Sequence, residues 1–410
     1  MMDLISVDGC ESMVEQSILT IEPHTKSMVN FGLPPSKSHL IRWLLLAAQS
    51  EKTVRINNVE GAARDAISMR DALLDLGVRI DVLNSTWVVH GTGVNGFKAP
   101  GKMLNFHNSG TALRLLSMAV TRMEEPITIH GDDTLSPRIS RDFWQALGID
   151  VSFASDHENL PMVLKGPVCV NSLKLDGRKT SQHLSAILLS MPALENPIEL
   201  TIEGDIVSRR HAELTFSLAA KCGSTNTFEN RIIKPWTCQP PSEVNIPLDA
   251  SHVAFWKLYE VLHTTSIEYP TVSQGDSIGA ELLQDIDLNH RLNVDLSDAN
   301  DLITPLAAAM AIGGGGRITG AGHARFKESN RIEQTVQMLA AFSLEIEATE
   351  DGLRMAGGQM PLAPNSVIET FGDHRMQMTA VVLATRVGAE IRGRDLHQVS
   401  FPDFLNYIQP

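Results

Sequence analysis

Basic residues are scarce in this chain, and it has neither a long apolar run nor a closely spaced cysteine pair. Lys and Arg number 34 against 48 Asp and Glu, which gives a formal net charge of -14 at pH 7. A nucleic-acid-binding surface needs clustered cations that replace the counterions of the phosphates, so this composition argues against a nucleic-acid partner. An anionic small molecule would need a local basic pocket that overcomes the overall negative field.

The cysteines are too far apart for a metal or redox motif. None of the 4 cysteines, Cys10, Cys169, Cys222 and Cys238, belongs to a C-x-x-C pair. A zinc or dithiol site is therefore not predicted, and reduced, buried thiols are expected.

No segment predicts a membrane span or an export signal. The longest apolar stretch, near Leu302 to Ile312, is shorter than the roughly 18 residues that cross a bilayer. The start MMDLISVDGCESMVEQ is acidic and lacks the basic residues of a signal or transit peptide. We expect a cytoplasmic protein without a membrane partner.

A length of 410 residues predicts two domains, because single cores stop growing near ~250 to 300 residues. Several segments also share one pattern, an amphipathic helix followed by a tight turn and an alternating strand. These turns fall at Gly77, Gly148 and Gly223 and, without a glycine, at Ser343. The spacing predicts helices that pack on half-buried strands, in an α/β unit that repeats about every 70 residues.

Further helices are predicted at Ser38 to Gln49, Gly110 to Thr121, Ser181 to Met191 and Arg331 to Ala341. Most of them open with a small or polar residue, which leaves free backbone N–H groups and the positive end of the helix dipole at the start. Helix starts of this kind favour anions when several of them converge.

The first candidate motif is PPSKSHLIR. Lys37 and Ser38 precede the helix and Arg42 lies one turn inside it, which suits a carboxylate or a phosphate. The alternative is a lysine on a solvated surface, which is the usual place for lysine.

The second candidate motif is HNSGTALRLL. Gly110 would let a ligand approach the backbone, Thr111 opens the helix, and Arg114 stands one turn in; Arg138 adds a further cation. A capped helix with a surface arginine is the alternative.

Hydroxyl groups mark two more helix starts. Thr180, Ser181 and Gln182 lie together in RKTSQHLSA, and Ser208 lies in GDIVSRRH. Hydroxyls and an amide can bind phosphate without added charge, although such residues are often only helix caps.

The acids are concentrated in the C-terminal part. Asp298 lies in DLSDAN, Lys327, Glu328 and Arg331 lie in FKESNR, and Arg375 ends the triplet of FGDHRM. Glu328 would be held ionised between two cations on one helical turn, although a surface ion-pair face has the same pattern.

Each motif is weak by itself, but their order is specific. S-K-S-x-x-x-R, N-x-G-T-x-x-R, S-Q, D-A-S, D-A, K-E-S-x-R-I, D-H-R-M and S-F-P-x-F follow one another between about Ile18 and Ile408. This succession resembles the EPSP synthase family. The sister family that acts on UDP-N-acetylglucosamine is less similar, since its cysteine-bearing loop has no counterpart between Glu124 and Pro137.

The resemblance implies an α/β fold, a two-domain inside-out α/β barrel of repeated βαβαββ units with the helices inside. It implies a discontinuous first domain, residues 1–34 plus 248–410, and an inserted second domain, residues 35–247. The repeated helix-turn-strand pattern agrees with this architecture.

The resemblance also implies a reaction. The enolpyruvyl group of phosphoenolpyruvate passes to the 5-hydroxyl of shikimate 3-phosphate through a tetrahedral intermediate that then loses phosphate. These two small molecules would be the partners of a monomer that uses no metal and no organic cofactor.

Residue roles follow from the matched motifs. Phosphoenolpyruvate would be held by Lys37, Arg138, Arg331 and Arg375, with Gln182 and Gly110 lining its pocket. Shikimate 3-phosphate would be held by Ser38, Arg42, Thr180, Ser181, Ser208 and Lys327. Asp298 would be the base for the hydroxyl, because addition needs a carboxylate near that proton. Glu328 would assist proton transfer at the methylene carbon, with Lys37 as a second candidate.

Several positions depart from the family pattern. The lysine of the final motif is replaced by Val399, and the other changed positions are Arg64, Ser109, Thr134, His211, His323 and Asn330. Two alternatives stay open: a paralogue that uses another cyclic or sugar-like alcohol, and a catalytically silent anion-binding relative. Val399, His211 and His323 favour the first, whereas retention of Asp298, Lys37, Glu328 and Arg375 speaks against the second.

Overall fold

The computed structural model describes residues 17–24, 31–120, 122–154, 159–270 and 279–409. These residues divide into two compact units. Unit 1 holds residues 17–24, 31–33, 250–270 and 279–409, and unit 2 holds residues 34–120, 122–154 and 159–249. The acidic start of the chain and Cys10 lie outside the described residues.

Helices and short strands alternate along both units. The helices of the described residues are α1 (Lys37–Gln49), α2 (Arg64–Asp75), α3 (Gly110–Val120), α4 (Arg141–Ala146), α5 (Gln182–Ser190), α6 (Arg209–Lys221), α7 (Val253–His263), α8 (Ala280–Gln284), α9 (Ile303–Ile312), α10 (Arg331–Ala341), α11 (His374–Val387) and α12 (Phe404–Ile408). The strands are β1 (Ile18–Ile21), β2 (Thr53–Asn57), β3 (Arg79–Leu83), β4 (Thr86–His90), β5 (Leu104–Asn105), β6 (Ile127–His130), β7 (Asp150–Phe153), β8 (Met162–Lys165), β9 (Ser172–Asp176), β10 (Ile198–Glu203), β11 (Ile232–Ile233), β12 (Glu243–Asn245), β13 (Leu292–Asp295), β14 (Gly315–Thr319), β15 (Ile346–Ala348), β16 (Leu353–Ala356) and β17 (Ala389–Arg392).

Unit 2 repeats one sheet pattern around buried helices. Its sheets have the strand orders β12-β2-β4-β3, β5-β6-β8-β7 and β11-β10-β9. Each contains one parallel pair, formed by β2 with β12, β5 with β6, and β9 with β10. Helices α1, α3 and α5 are buried along nearly their whole length, and α3 packs against both of the others. The core of unit 2 therefore consists of apolar helices covered by sheets.

Unit 1 uses the same pattern. The sheet β13-β14-β16-β15 has a parallel pair, β13 with β14, followed by antiparallel pairs, and β1 pairs with β17 in a separate sheet. Helix α9 is buried at nearly every position and contacts α7 and α11. The predicted α/β architecture of repeated units is present in both parts of the chain.

The predicted turns lie where the pattern placed them. Gly77, Gly148 and Gly223 have φ angles of +88°, +73° and +99°, which glycine adopts without a steric penalty. Ser343 makes the same turn with φ 61°, a conformation that is uncommon for a residue with a side chain. Helix α10 begins and ends at the predicted residues.

The strand predicted after Gly223 is absent, and this prediction is wrong. Instead, the side chain of Asn226 bonds the main chain of Lys234: Lys234 N donates to Asn226 Oδ1 at 2.8 Å, and Asn226 Nδ2 donates to Lys234 O at 2.9 Å. This amide forms the pair of bonds that a neighbouring strand would otherwise form.

The thiols agree only partly with expectation. Cys222 and Cys238 are free and buried, and a hydrogen bond with Cys222 together with burial raises the pKa of Cys238. Cys169 is exposed, so its predicted burial is wrong; its Sγ donates to Pro167 O at 3.1 Å in a surface segment. Within the described ranges, no helix has the length and apolar character to cross a membrane.

Candidate active site

Arg114 connects the predicted residues at the starts of α3 and α5 in unit 2. It is buried, and it donates to Gln182 Oε1 at 2.5 Å, to Gly110 O at 3.4 Å and to Arg138 O. A Cβ on Gly110 would lie 3.1 Å from Arg114 Nη1 and 3.5 Å from Arg138 Nη1. Glycine at this position therefore leaves room for two guanidinium groups at the helix start.

Arg138 is fixed by main-chain oxygens. Its Nε donates to Thr134 O at 2.8 Å and its Nη2 to Asn108 O at 2.9 Å. The hydroxyl of Thr134 also accepts from Arg138 Nη2 at 3.3 Å and donates to Asp132 Oδ1 at 2.6 Å. The hydroxyl of Thr134 thus orients Arg138.

Hydroxyl groups hold Gln182 in place. Gln182 N donates to Thr180 Oγ1 at 3.2 Å, and its side-chain Nε2 donates to Thr111 Oγ1 at 3.0 Å. Ser181, between them, is buried. Main chain and side chain of Gln182 are therefore both oriented, with Oε1 facing Arg114.

Two serines at helix starts have left-handed backbone angles. Ser208, before α6, has φ 50°, and Ser140, before α4, has φ 58° and accepts from Arg114 Nε at 3.3 Å. Such conformations are sparsely populated by residues with a side chain, and they concentrate at functional sites. Ser208 was predicted as a site residue, and Ser140 was not.

Arg42 is a fully buried cation. It donates from Nε to Thr215 Oγ1 at 2.7 Å, from Nη1 to Ser38 O at 2.8 Å and from Nη2 to His211 O at 3.1 Å. Within the described part of the chain no carboxylate pairs with it, and burial lowers its pKa to about 10. Because His211 N bonds Ser208 O, this contact also brings Arg42 close to the start of α6.

Lys37 is paired with a buried acid. Its Nζ lies 2.7 Å from Asp65 Oδ2, and the two side chains are 15% and 8% exposed. Asp65 directly follows Arg64, one of the positions that depart from the family pattern. It holds the ammonium group of Lys37 at the start of α1.

In unit 1, Arg331 is surrounded by three carboxylates. Its Nε lies 2.7 Å from Asp373 Oδ2, its Nη1 2.6 Å from Asp301 Oδ1, and its Nη2 2.7 Å from Glu328 Oε2. Burial alone would lower the pKa of Arg331, but Asp373, Glu328 and Asp301 raise it well above its usual value. Glu328 lies beside Arg331 as predicted, but Lys327 and Glu328 precede α10, so the predicted placement of all three on one helical turn is wrong.

Arg375 lies beside this group and is differently bonded. Its Nη2 donates to Ser251 Oγ at 3.0 Å and lies 3.5 Å from Asp301 Oδ2. Its Nε and Nη1 are buried and have no hydrogen-bond partner within the described residues. We call Asp301, Glu328, Arg331, Asp373 and Arg375 the carboxylate–arginine cluster. It contains a guanidinium with two unused donors.

The remaining predicted residues of unit 1 flank the cluster along the chain. Asp298 is half-buried in the turn between β13 and Asp301, and Lys327 directly precedes Glu328. The side chains of His323 and Asn300 are hydrogen-bonded, with 2.7 Å between His323 Nε2 and Asn300 Nδ2. Burial and then the charge of Lys327 lower the pKa of His323 to about 4, which keeps the ring neutral at pH 7.

Two departures from the family pattern have clear structural consequences. Asn330 caps α10, since its side chain accepts from Glu333 N at 3.3 Å. The aspartate of the family motif would cap the helix equally well. Val399 is buried next to Ser400, whose hydroxyl lies 3.1 Å from His252 Nε2. The first change is conservative, whereas the second places an apolar side chain where the family has a cation.

Sequence reasoning missed Asp301 and assigned no role to Arg114. Asp301 contacts both arginines of the carboxylate–arginine cluster. The sequence feature that could have identified it is its position as a second acid, three residues after Asp298. Arg114 was part of the N-x-G-T-x-x-R motif. Neither role is evident without the long-range contacts.

Solved structures of other proteins share the fold of this chain. The chain is similar to EPSP synthase from Acinetobacter baumannii, with a TM-score of 0.71 and 21% identity, over 95% of this chain and 97% of that one. Its fold is equally similar to that of the enolpyruvyl transferase NikO from Streptomyces tendae, with a TM-score of 0.71 and 15% identity, over 96% of this chain and 97% of that one. The fold is that of the enolpyruvyl transferases, as predicted.

Sequence comparisons narrow the class to a family. The model of the family EPSP synthase (3-phosphoshikimate 1-carboxyvinyltransferase) matches residues 24–270 and 271–408. The 3-phosphoshikimate 1-carboxyvinyltransferase of Methanothermobacter thermautotrophicus is 27% identical over 94% of this chain and 96% of its own length. That of Methanosphaera stadtmanae is 27% identical over 95% and 98%. The chain belongs to the EPSP synthase family and is an enolpyruvyl transferase.

Proposed function

We propose that this protein transfers the enolpyruvyl group of phosphoenolpyruvate to the 5-hydroxyl of shikimate 3-phosphate. The hydroxyl oxygen bonds to C2 of phosphoenolpyruvate while C3 gains a proton. The tetrahedral intermediate then loses phosphate and a proton from C3, which restores the double bond. The names of the curated relatives, which match over nearly their whole length, support this choice of acceptor.

The observation that carries the proposal is the buried guanidinium of Arg375. Its side chain is 1% exposed, and two of its donor atoms have no partner within the described residues. Leaving one buried donor unsatisfied costs about 1–3 kcal/mol. A carboxylate is the natural partner for such a group, and phosphoenolpyruvate supplies one. We assign Arg375 to that carboxylate, and we assign Arg331, Arg138, Lys37, Gln182 and Gly110 to the same substrate.

Arg42 supports an anionic acceptor. A fully buried cation whose partners are all neutral oxygens is poorly compensated, because burial removes water without supplying an opposite charge. We assign Arg42 and Ser38 to the acceptor, and the hydroxyls of Thr180, Ser181 and Ser208 with Lys327 to the rest of shikimate 3-phosphate.

Two acids remain for proton transfer. We propose Asp298 as the base that accepts the hydroxyl proton, and Glu328 as the residue that serves C3. Glu328 is 11% exposed and paired with Arg331 at 2.7 Å, so it is held in one orientation. Lys37, fixed by Asp65, is the second candidate for the proton at C3.

We further propose that residues 1–34 plus 248–410 and residues 35–247 act as the two domains of a cytoplasmic monomer that needs no cofactor. These assignments rest on the family and on the sequence.

The test is release of phosphate from phosphoenolpyruvate with shikimate 3-phosphate as acceptor. Turnover by the parent and a loss of about a hundredfold or more in Arg375→Gln would support the proposal, since two charged hydrogen bonds are removed. Arg386→Gln is the matched control, because Arg386 is an exposed arginine on the same helix. Substrate binding without any turnover would favour the silent relative.

Val399 favours a second candidate, an enolpyruvyl transferase that uses another cyclic or sugar-like alcohol. Its buried side chain can neither donate a hydrogen bond nor balance the charge of a phosphate. The similarity in fold to NikO is consistent with this alternative. Turnover with a different alcohol, and none with shikimate 3-phosphate, would establish it.

A further inference from the structure

Asp301 is the acid of the carboxylate–arginine cluster that solvent reaches most easily. Its side chain is 30% exposed, whereas that of Glu328 is 11% exposed and that of Asp373 is fully buried. It lies on the single helical turn Asn300–Leu302, directly before α9. No step of the proposed reaction uses this carboxylate, although it lies at the accessible side of the cluster.

The carboxylate of Asp301 bridges the two arginines of the cluster. Its Oδ1 lies 2.6 Å from Arg331 Nη1, and its Oδ2 lies 3.5 Å from Arg375 Nη2. A carboxylate between guanidinium groups is the arrangement that arginine forms with a carboxylate ligand. The protein thus supplies from its own chain the contacts that an external carboxylate would make with this pair.

Arg375 cannot be reached from solvent while these contacts are in place. Its side chain is 1% exposed, and its Nη2 donates to Ser251 Oγ at 3.0 Å and faces Asp301 Oδ2. Ser251 is buried, so Asp301 is the more accessible of these two neighbours. A change between staggered side-chain rotamers moves an aspartate carboxylate without moving the main chain. An external carboxylate would therefore approach Arg375 past Asp301.

The charges of the cluster also favour displacement of Asp301. Three carboxylates face two guanidinium groups, a formal charge of -1 when all are ionised, and this charge repels an incoming anion. If Asp301 moves away, Arg331 keeps Asp373 and Glu328, each at 2.7 Å. Asp301 is thus the acid whose departure leaves neither a buried cation unpaired nor the start of α11 uncapped.

We propose that Asp301 is a built-in competitor of the substrate carboxylate, which contacts Arg375 until phosphoenolpyruvate displaces it. This inference rests on the proposed assignment of Arg375 to that carboxylate. Its consequence is selectivity, because an anion takes the place of Asp301 only if it binds Arg375 more strongly than this internal acid does. A carboxylate that forms two parallel hydrogen bonds with the guanidinium meets that condition.

The experiment uses the full chain and Asp301→Asn. The amide oxygen can still accept from Arg331, whereas an NH₂ group replaces the acceptor that faces Arg375. Isothermal titration with phosphoenolpyruvate is expected to show binding about tenfold tighter than in the parent, and the KM for phosphoenolpyruvate in phosphate release should fall by a similar factor. A residue that only positions the arginines would give the opposite sign. Glu369→Gln, which removes an exposed acid paired with Arg392, is the matched control and should change neither value.

Two further measurements separate competition from a general effect of charge. Inorganic phosphate, which has no carboxylate, should gain clearly less affinity in Asp301→Asn than phosphoenolpyruvate does. A crystal structure of the parent with phosphoenolpyruvate should show the substrate carboxylate on Arg375 and Asp301 turned away from it. The structure needs no variant, and thermal melting checks that Asp301→Asn is folded.

The proposal is overturned if folded Asp301→Asn binds phosphoenolpyruvate no more tightly than the parent does, or if inorganic phosphate gains as much. It is also overturned if Asp301 keeps its contact with Arg375 in the complex. Tighter binding by Asp301→Asn without phosphate release from shikimate 3-phosphate would support the competitor and refute only the proposed acceptor. A parent that neither binds nor turns over phosphoenolpyruvate would overturn both.

Discussion

Replacing Asp373 by asparagine removes one negative charge at the centre of the carboxylate–arginine cluster. The carboxylate is fully buried; its Oδ2 accepts from Arg331 Nε at 2.7 Å and from Ser329 Oγ at 2.9 Å, while its Oδ1 accepts from Arg375 N at 2.8 Å at the start of α11. Asparagine keeps the Oδ1 acceptor, so the cap of the helix survives. Only the side that faces Arg331 changes, where an NH₂ group would replace an acceptor.

The expected cost is large because the partner charge stays buried. Removing one member of a buried ion pair typically costs about 3–5 kcal/mol. Arg331 is 1% exposed, and Asp301 and Glu328 still pair with it, which favours the lower end of that range. For a domain of about 150–250 residues, 1 kcal/mol shifts the melting temperature by roughly 2–4 °C, so a decrease of about 6–20 °C is expected.

Differential scanning calorimetry of the parent and Asp373→Asn measures this shift. Asp301→Asn is the matched control: it removes the same charge from the same arginine, but Asp301 is 30% exposed and should cost clearly less. Equal shifts in the two variants would show that burial does not set the cost. A shift below about 2 °C in Asp373→Asn would refute the reasoning.

Three further predictions concern turnover and acid stability. Asp298→Asn should lower turnover of phosphoenolpyruvate by about a hundredfold while binding stays near normal, because the amide cannot accept a proton; near-normal phosphate release would identify Glu328 as the base. Val399→Lys should raise kcat/KM for phosphoenolpyruvate about tenfold or more by supplying a charged hydrogen bond; an unchanged value would mean that the pocket is rebuilt around valine. His183 stacks on Phe143 at 4.1 Å, and burial, then nearby cations, lower its pKa to about 3 from 6.5. The unfolded chain therefore binds more protons at His183 between these values, so this residue alone should account for about 2 kcal/mol of the unfolding free energy that the parent loses from pH 7 to 5. Urea unfolding at both pH values should show this loss reduced by that amount in His183→Phe, and an identical loss in the two proteins would contradict the assignment.

Local features of the fold could be predicted from the sequence because they depend on local patterns. Apolar spacing located α10 at its observed bounds, and the turn at Ser343 was recognised without a glycine. The strand after Gly223 was not predictable in the same way, since the amide of Asn226 competes for the bonds that a strand would form. The alternation of apolar and polar residues alone does not reveal that a side-chain amide will take these main-chain hydrogen bonds.

The sequence predicted those residues of the candidate site that belong to short motifs. Arg331, Glu328 and Arg375 were named from two short motifs, and the structure places them in one cluster. The position of Asp301 between both arginines depends on contacts across about 30 and 74 positions, which the turn following β13 and the start of α11 create. No local pattern encodes such distances.

The amide of Asn226 also affects how the third sheet of unit 2 meets solvent. Within the described residues this sheet has three strands, and its edges are β9 and β11. Strand β11 is only Ile232–Ile233, and on β9 the ammonium group of Lys174 lies 2.7 Å from Glu203 of the neighbouring strand. Short edges and edge lysines both hinder the addition of a foreign strand. The bonds of Asn226 thus take the place of a fourth strand, and the remaining edges offer little main chain to a second copy of the protein. Aggregation by β-pairing through this sheet is therefore disfavoured.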